Sequence, residues 1–116
     1  MKNTLLAAIA LCLYVIPPPA LPAPKAQSAQ ECATLADLAL VAGAAAAAGV
    51  ERAKTQAMLP RIYDLSKEDF RTLMRLIVGV AYGSARNVEP EVFAGTLGSA
   101  CMRSEGNMDS ILGAGV

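Results

Sequence analysis

Apolar residues recur every three or four positions between residues 66 and 83, which is the clearest periodic pattern in the chain. The recurring positions are Phe70, Leu73, Met74, Ile77, Val80 and Ala81. Such spacing places side chains on one face of a helix. Ser66 and Asp69 resemble the two ends of a capping box, in which the serine hydroxyl accepts from an amide of the first turn. The pattern therefore predicts a helix over 66–83.

The stretch after Gln30 is rich in alanine and leucine at helical spacing, and it predicts a first helix over about 30–48. Gly49 follows the last alanine and suits the left-handed conformation that often ends a helix. Gly43 and Ala47 make this helix small-sided. We interpret that as close packing against neighbouring helices and not as association within a membrane, because the apolar run after Asp37 is too short to span one.

Prolines mark the two remaining helical stretches. Pro60 predicts the end of a short helix over about 50–59, since the residue before a proline is biased away from the helical conformation. Val50, Ala53 and Ala57 are predicted to line one side of it, and Tyr63 is expected at the core edge in the connector that follows. Pro90 suits the first turn of a helix over about 89–102. No stretch alternates like a strand, so the chain is predicted to be all-α, a small bundle of three to four helices.

The first residues have the pattern of a secretory signal peptide. Lys2 precedes an apolar run over 5–16, and three prolines follow, so a helix here would be too short for a hydrocarbon core of about 30 Å. Small residues suit cleavage after Ser28, with cuts after Ala23 or Ala29 as alternatives. We predict a signal peptide at 1–28, a helical domain at 29–103 and a flexible, mostly disordered tail at 104–116. An uncleaved N-terminal anchor is the alternative.

Three cysteines occur in the chain, and removal of the signal peptide would take Cys12 away. The remaining pair, Cys32 and Cys101, would lie in a compartment where disulfides form and persist. In a bundle with antiparallel neighbours, the start of the first helix and the end of the last lie at the same end. We therefore predict a Cys32–Cys101 disulfide, which closes a loop of about 70 residues and contributes roughly 4 kcal/mol.

The composition argues against several functions. The chain has no histidine, so neither a Ser-His nor a Cys-His nucleophile pair can form. Ten basic residues balance ten acidic ones, without the basic excess typical of nucleic-acid-binding proteins. No Cys-x-x-Cys motif and no phosphate-binding glycine loop is present. We therefore expect a non-enzymatic protein without metal, cofactor or nucleic-acid partner.

One helix face is a candidate for protein recognition. Arg71, Arg75 and Tyr82 are spaced by four and seven residues, so they are predicted to share the exposed face of the third helix. Two arginines beside an aromatic ring suit an acidic patch on a partner. The alternative is a solvated face without a binding role.

Short motifs resemble those of a loose group of small exported proteins of Gram-negative bacteria, and they are Glu31-Cys32, Ala48-Gly49-Val50, and Phe93 eight residues before Cys101. Members are alanine-rich and helical, with one cysteine near each end of the mature domain. The resemblance implies export and a helical fold over about residues 30–103, and it assigns no site. A more distant likeness to periplasmic acid-stress chaperones implies a chaperone as one alternative function. An inhibitor or immunity-type protein is the other.

Overall fold

The computed structural model describes residues 24–113, which form five helices and no strand. The helices are α1 (Ala29–Ala47), α2 (Arg52–Ile62), α3 (Glu68–Tyr82), α4 (Pro90–Arg103) and the single turn α5 (Asp109–Leu112). The predicted all-α fold is confirmed, and α1 and α4 begin and end within one residue of the predicted bounds. The predicted signal-peptide features of residues 1–23 lie outside the described residues.

Helices α1 and α4 run antiparallel and form the most extensive helix pair of the domain. Cys32 lies beside Cys101, a Cβ added at Gly98 would lie 3.0 Å from the Cβ of Ala36, and Gly43 lies against Pro90. Residues later in α1 thus contact residues earlier in α4, as in an antiparallel helix pair. Small residues at these crossings let the two backbones approach closely, as the small-sided face of α1 predicted.

The end of α1 follows the prediction. Gly49 has a φ of +79°, and its N–H donates to the carbonyl of Ala46 while the N–H of Val50 donates to the carbonyl of Ala45. These two bonds form a Schellman motif, which satisfies carbonyls left unpaired at a helix end. The chain then turns directly into α2.

The apolar stripe of α3 faces the core that α1 and α4 also line. Phe70, Leu73, Met74, Ile77 and Ala81 are buried as predicted, together with Val78, whereas Val80 is only partly buried. The predicted capping box at Ser66 is wrong. Helix α3 begins at Glu68, because the Ser66 N–H turns back to the Asp64 carboxylate and holds Ser66 outside the helix.

Helix α2 differs from its prediction in where it begins and ends. It continues through Pro60 to Ile62, so the predicted end at residue 59 is wrong. Pro60 lacks one N–H donor, and the helix nevertheless closes its last turn through the Tyr63 N–H, which donates to the carbonyl of Leu59. The packed side consists of the buried Thr55 and Leu59. Val50, Ala53 and Ala57, which were predicted to line one side of the helix, are exposed.

Both ends of the described chain fold onto the domain. Met108 and Leu112 are buried, and α5 contacts both α3 and α4, so residues 104–113 do not form the predicted flexible tail. Ala26 is buried too, and its N–H donates to the carbonyl of Gly106 at 3.0 Å. The folded domain therefore begins before residue 29, the start that the sequence predicted.

Candidate functional site

The two cysteines form the predicted disulfide between α1 and α4. Their Cα atoms are 5.6 Å apart, and both side chains are buried. The bond closes the end of the domain where α1 begins and α4 ends. Both sulfur atoms are therefore committed to holding these helices together, and neither is an exposed thiolate of the kind that acts as a nucleophile or a metal ligand.

Arg71, the first residue of the predicted recognition face, is bound to its own domain. Its Nη1 donates to the carbonyl of Leu65 at 3.0 Å and to that of Ser66 at 2.8 Å. A guanidinium carries several donors in a fixed plane, and here they satisfy two carbonyls of the α2–α3 connector. Arg71 thus fixes the connector in place.

Tyr82, the last residue of that face, joins α3 to α2. Its hydroxyl donates to the carbonyl of Val50 at 2.7 Å and lies 2.7 Å from the Thr55 hydroxyl. Because the carbonyl can only accept, the tyrosine proton points to it and Thr55 must donate to the tyrosine oxygen. Thr55 is fully buried, so this chain of two bonds satisfies a hydroxyl that would otherwise be costly to bury.

Arg75 is exposed, and a second arginine from another helix lies at the same cleft. The cleft has a volume of about 420 Å³, and Arg52 and Arg75 line it together with apolar side chains of α3 and α5, among them Leu76 and Ile111. The Arg52 guanidinium lies over Gly79, because a Cβ there would be 3.4 Å from its Nη2 atom. We call this surface the arginine cleft.

Neither guanidinium of the arginine cleft has a hydrogen-bond or ion-pair partner among residues 24–113. In this respect Arg52 and Arg75 differ from Arg71, whose donors are used. The predicted trio of Arg71, Arg75 and Tyr82 is thus divided among three roles. Arg52 was missed because it belongs to a different helix. The available signal was Gly79, one turn after Arg75, because a glycine leaves a gap on the α3 surface that a side chain of another helix can cover.

A second cleft, of about 370 Å³, lies where α1 begins and is already provided with internal partners. Glu31 accepts from the Gln27 N–H at 2.9 Å and pairs with the Lys67 ammonium at 3.0 Å. The Gln27 N–H, and after it Lys67, hold the pKa of the Glu31 carboxyl below its usual value. Asp64, the remaining charged residue of the lining, accepts from the Ser66 N–H at 3.1 Å, so the charged groups of this cleft already have partners and it offers less to a ligand than the arginine cleft.

Within residues 24–113 no three His, Cys, Asp or Glu side chains come close enough together to hold a metal ion. Across the same residues, none of the helices has the length and apolar character needed to cross a membrane. Comparisons with protein-family models, curated proteins and solved structures find no match for this chain. The interpretation of the site therefore depends on its geometry and charge.

Proposed function

We propose that the protein is exported to the periplasm or secreted, and that it is a non-enzymatic module that binds a protein partner through the arginine cleft. Export is supported by the signal-like N-terminus and by the single disulfide, a bond that persists mainly in oxidising compartments. The resemblance to small exported helical proteins of Gram-negative bacteria supports the same location. An inhibitor or immunity-type protein, which blocks one partner, is the kind of binder that this proposal includes.

The observation that carries the binding proposal is the convergence of Arg52 and Arg75 on one cleft with their donors unused in the described part of the chain. A guanidinium binds a carboxylate through two parallel hydrogen bonds, and two of them select a ligand with more than one acidic group. The apolar wall provided by Leu76 and Ile111 adds a surface for an aliphatic or aromatic side chain. The cleft therefore suits an acidic segment of a protein that carries one apolar anchor.

Charge reversal tests this proposal. We expect the Arg52→Glu/Arg75→Glu variant to lose at least about tenfold of its partner binding, since each charged hydrogen bond contributes roughly 1.5–3 kcal/mol. The measurement is quantitative capture from a periplasmic extract, followed by titration with the captured protein. Because rim charges are screened by salt, wild-type binding should also weaken as ionic strength rises.

Arg61→Glu is the matched control. It lies on the same helix as Arg52, nine residues on and therefore roughly 13–14 Å away along the axis, and it does not line the arginine cleft. The single variant Arg52→Glu changes the net charge by the same amount, so it should weaken capture whereas Arg61→Glu should leave it unchanged, and the two losses are the ones to compare. Equal capture by wild type and the double variant would exclude the cleft, and equal loss in Arg61→Glu would indicate an effect of net charge alone.

A stress chaperone activated by acid is the alternative, and the charges of the domain favour it less. Such a chaperone needs contacts that protonation breaks, yet the ion pair found in residues 24–113 is Glu31 with Lys67, at the start of α1. The core itself is apolar and closed by the disulfide. At pH 2–3 we expect the domain to stay folded and to leave the aggregation of a client protein unchanged. Exposure of apolar surface with protection of the client would favour the chaperone.

A further inference from the structure

Ala26 is an integral part of the core although it precedes the first helix. Its side chain is 1% exposed, and its N–H donates to the carbonyl of Gly106 at 3.0 Å. Gly106 has a φ of +95°, and a Cβ at that position would lie 1.9 Å from the carbonyl oxygen of Ala26. The two backbones therefore touch, and the glycine is the residue that allows the contact. This contact covers the turn that follows α4.

Ser28 and Gln27 complete the start of α1. The Ser28 hydroxyl accepts from the Glu31 N–H at 3.1 Å, and its carbonyl accepts from the N–H of Cys32 at 3.0 Å. The Gln27 N–H donates back to the Glu31 carboxylate. The Ser28 hydroxyl thus caps α1, and the Glu31 carboxylate bonds one residue further back than in a capping box, at the Gln27 N–H.

From these contacts we infer that the protease that removes the export signal cuts on the N-terminal side of Ala26, so that the exported protein keeps Ala26, Gln27 and Ser28. The inference rests on the proposed export. Small residues suited to the position before the cut occur upstream at Ala20 and Ala23. The cut after Ser28 that the sequence pattern favours would remove all three residues.

A cut after Ser28 would also change the charge at the start of α1. It would leave the new α-ammonium on Ala29, the first residue of the helix, where the positive end of the helix dipole disfavours a cation. Glu31 would lose the Gln27 N–H, and the Gly106 carbonyl would lose its donor. The disulfide begins one residue after Glu31, so the loosened segment would adjoin it.

The first experiment identifies the N-terminal residue of the processed protein. The full chain is produced in a Gram-negative host, recovered from the periplasm or the medium, and measured by intact mass and N-terminal sequencing. A first residue between Leu21 and Ala26 supports the inference. A first residue at Gln27 or later overturns it and leaves export standing, whereas an uncut chain in the cytoplasm or the membrane overturns both.

The second experiment uses variants of the full chain, processed in the same host. If the residues are retained, Ser28→Ala and Ala26→Val should each lower the Tm of the processed protein, by about 4–8 °C for the loss of the cap. Lys25→Val is the control, because Lys25 is exposed and its substitution should leave the Tm unchanged. Identical masses and Tm values for wild type and all three variants would show that the segment is removed, and would overturn the inference.

Discussion

The α1–α4 pair and helix α2 are attached to the same core by different means. A disulfide joins α1 to α4, and glycines at the crossings let their backbones approach. Helix α2 buries only Thr55 and Leu59, and it is tied to α3 through the Tyr82 hydroxyl. Covalent closure and dense apolar contact resist opening more than a few polar contacts do, so we expect α2 to open first. Because Arg52 begins α2, the arginine cleft depends on the more weakly attached region.

Breaking the disulfide should have the largest effect on this comparison. The two cysteines are 69 residues apart in sequence, and reduction opens the loop that their bond closes. The chain-entropy model equates this with a loss of about 4 kcal/mol in the free energy of unfolding. Urea unfolding of the oxidised and reduced protein measures the loss. The Cys32→Ala/Cys101→Ala variant should be as unstable as the reduced protein and insensitive to reductant. A loss below about 1 kcal/mol would mean that apolar packing alone holds the α1–α4 pair.

Two glycines of α4 test the close packing separately from the disulfide. A Cβ at Gly98 would lie 3.0 Å from the Cβ of Ala36, whereas a Cβ at Gly95 would meet nothing within 4 Å. Gly98→Val should therefore cost about 1–3 kcal/mol more than Gly95→Val, because valine has the same helix propensity at both sites and overpacks only one. Chemical denaturation of the two oxidised variants measures the difference. Equal stabilities would contradict close backbone packing at Gly98.

The same contrast explains which parts of the fold could be predicted from the sequence. The stripe of α3, the glycine that ends α1 and the cysteine pair follow from local periodicity, backbone freedom and chain order, so each was predictable. The end of α2 was not, because Pro60 is a local stop signal and yet the helix continues to Ile62, where the Tyr63 N–H closes the last turn on the carbonyl of Leu59. Ser66 was misassigned because a competing turn with Asp64 uses its N–H, and sequence spacing does not reveal which of two local bonds forms.

The candidate site was predictable only in part. Periodicity places Arg71, Arg75 and Tyr82 along one helix, but it cannot say what each side chain meets across the bundle. Arg71 contacts carbonyls of the connector before its own helix and Tyr82 contacts α2, while Arg52 reaches the cleft from the preceding helix. Contacts between elements decide which arginines remain available, and those contacts depend on the tertiary fold.

The hydroxyl chain from Thr55 through Tyr82 to Val50 should be the next largest contribution, and it acts on α2 alone. Tyr82→Phe leaves the buried Thr55 hydroxyl without its acceptor, and we expect a loss of about 1–2 kcal/mol. Hydrogen exchange should show the loss of protection concentrated in α2, with α1 and α4 nearly unchanged. Adding Thr55→Val should recover part of the loss, since it removes the orphaned group. If the free-energy costs of Tyr82→Phe and Thr55→Val simply add in the double variant, the two hydroxyls do not share a hydrogen bond.

The smallest expected effect lies where the connector meets α1. The Tyr63 hydroxyl donates to the Asp37 carboxylate, and burial, with Asp37 next, raises the pKa of the Tyr63 phenol. Because the pKa of the phenol is higher in the folded state than in the unfolded state, the phenol stabilises the folded protein. This contribution is fully present below the unfolded pKa of about 10 and is lost as the pH rises above that value.

Tyr63→Phe should cost roughly 0.5–1 kcal/mol at pH 8, the contribution of one net hydrogen bond. Denaturation at pH 8 and near pH 11 should show the gap between wild type and variant closing, because both proteins share every other titration. A gap of the same size at both pH values would mean that the phenol does not couple the connector to α1, and that α1 is held by its contacts with α3 and α4.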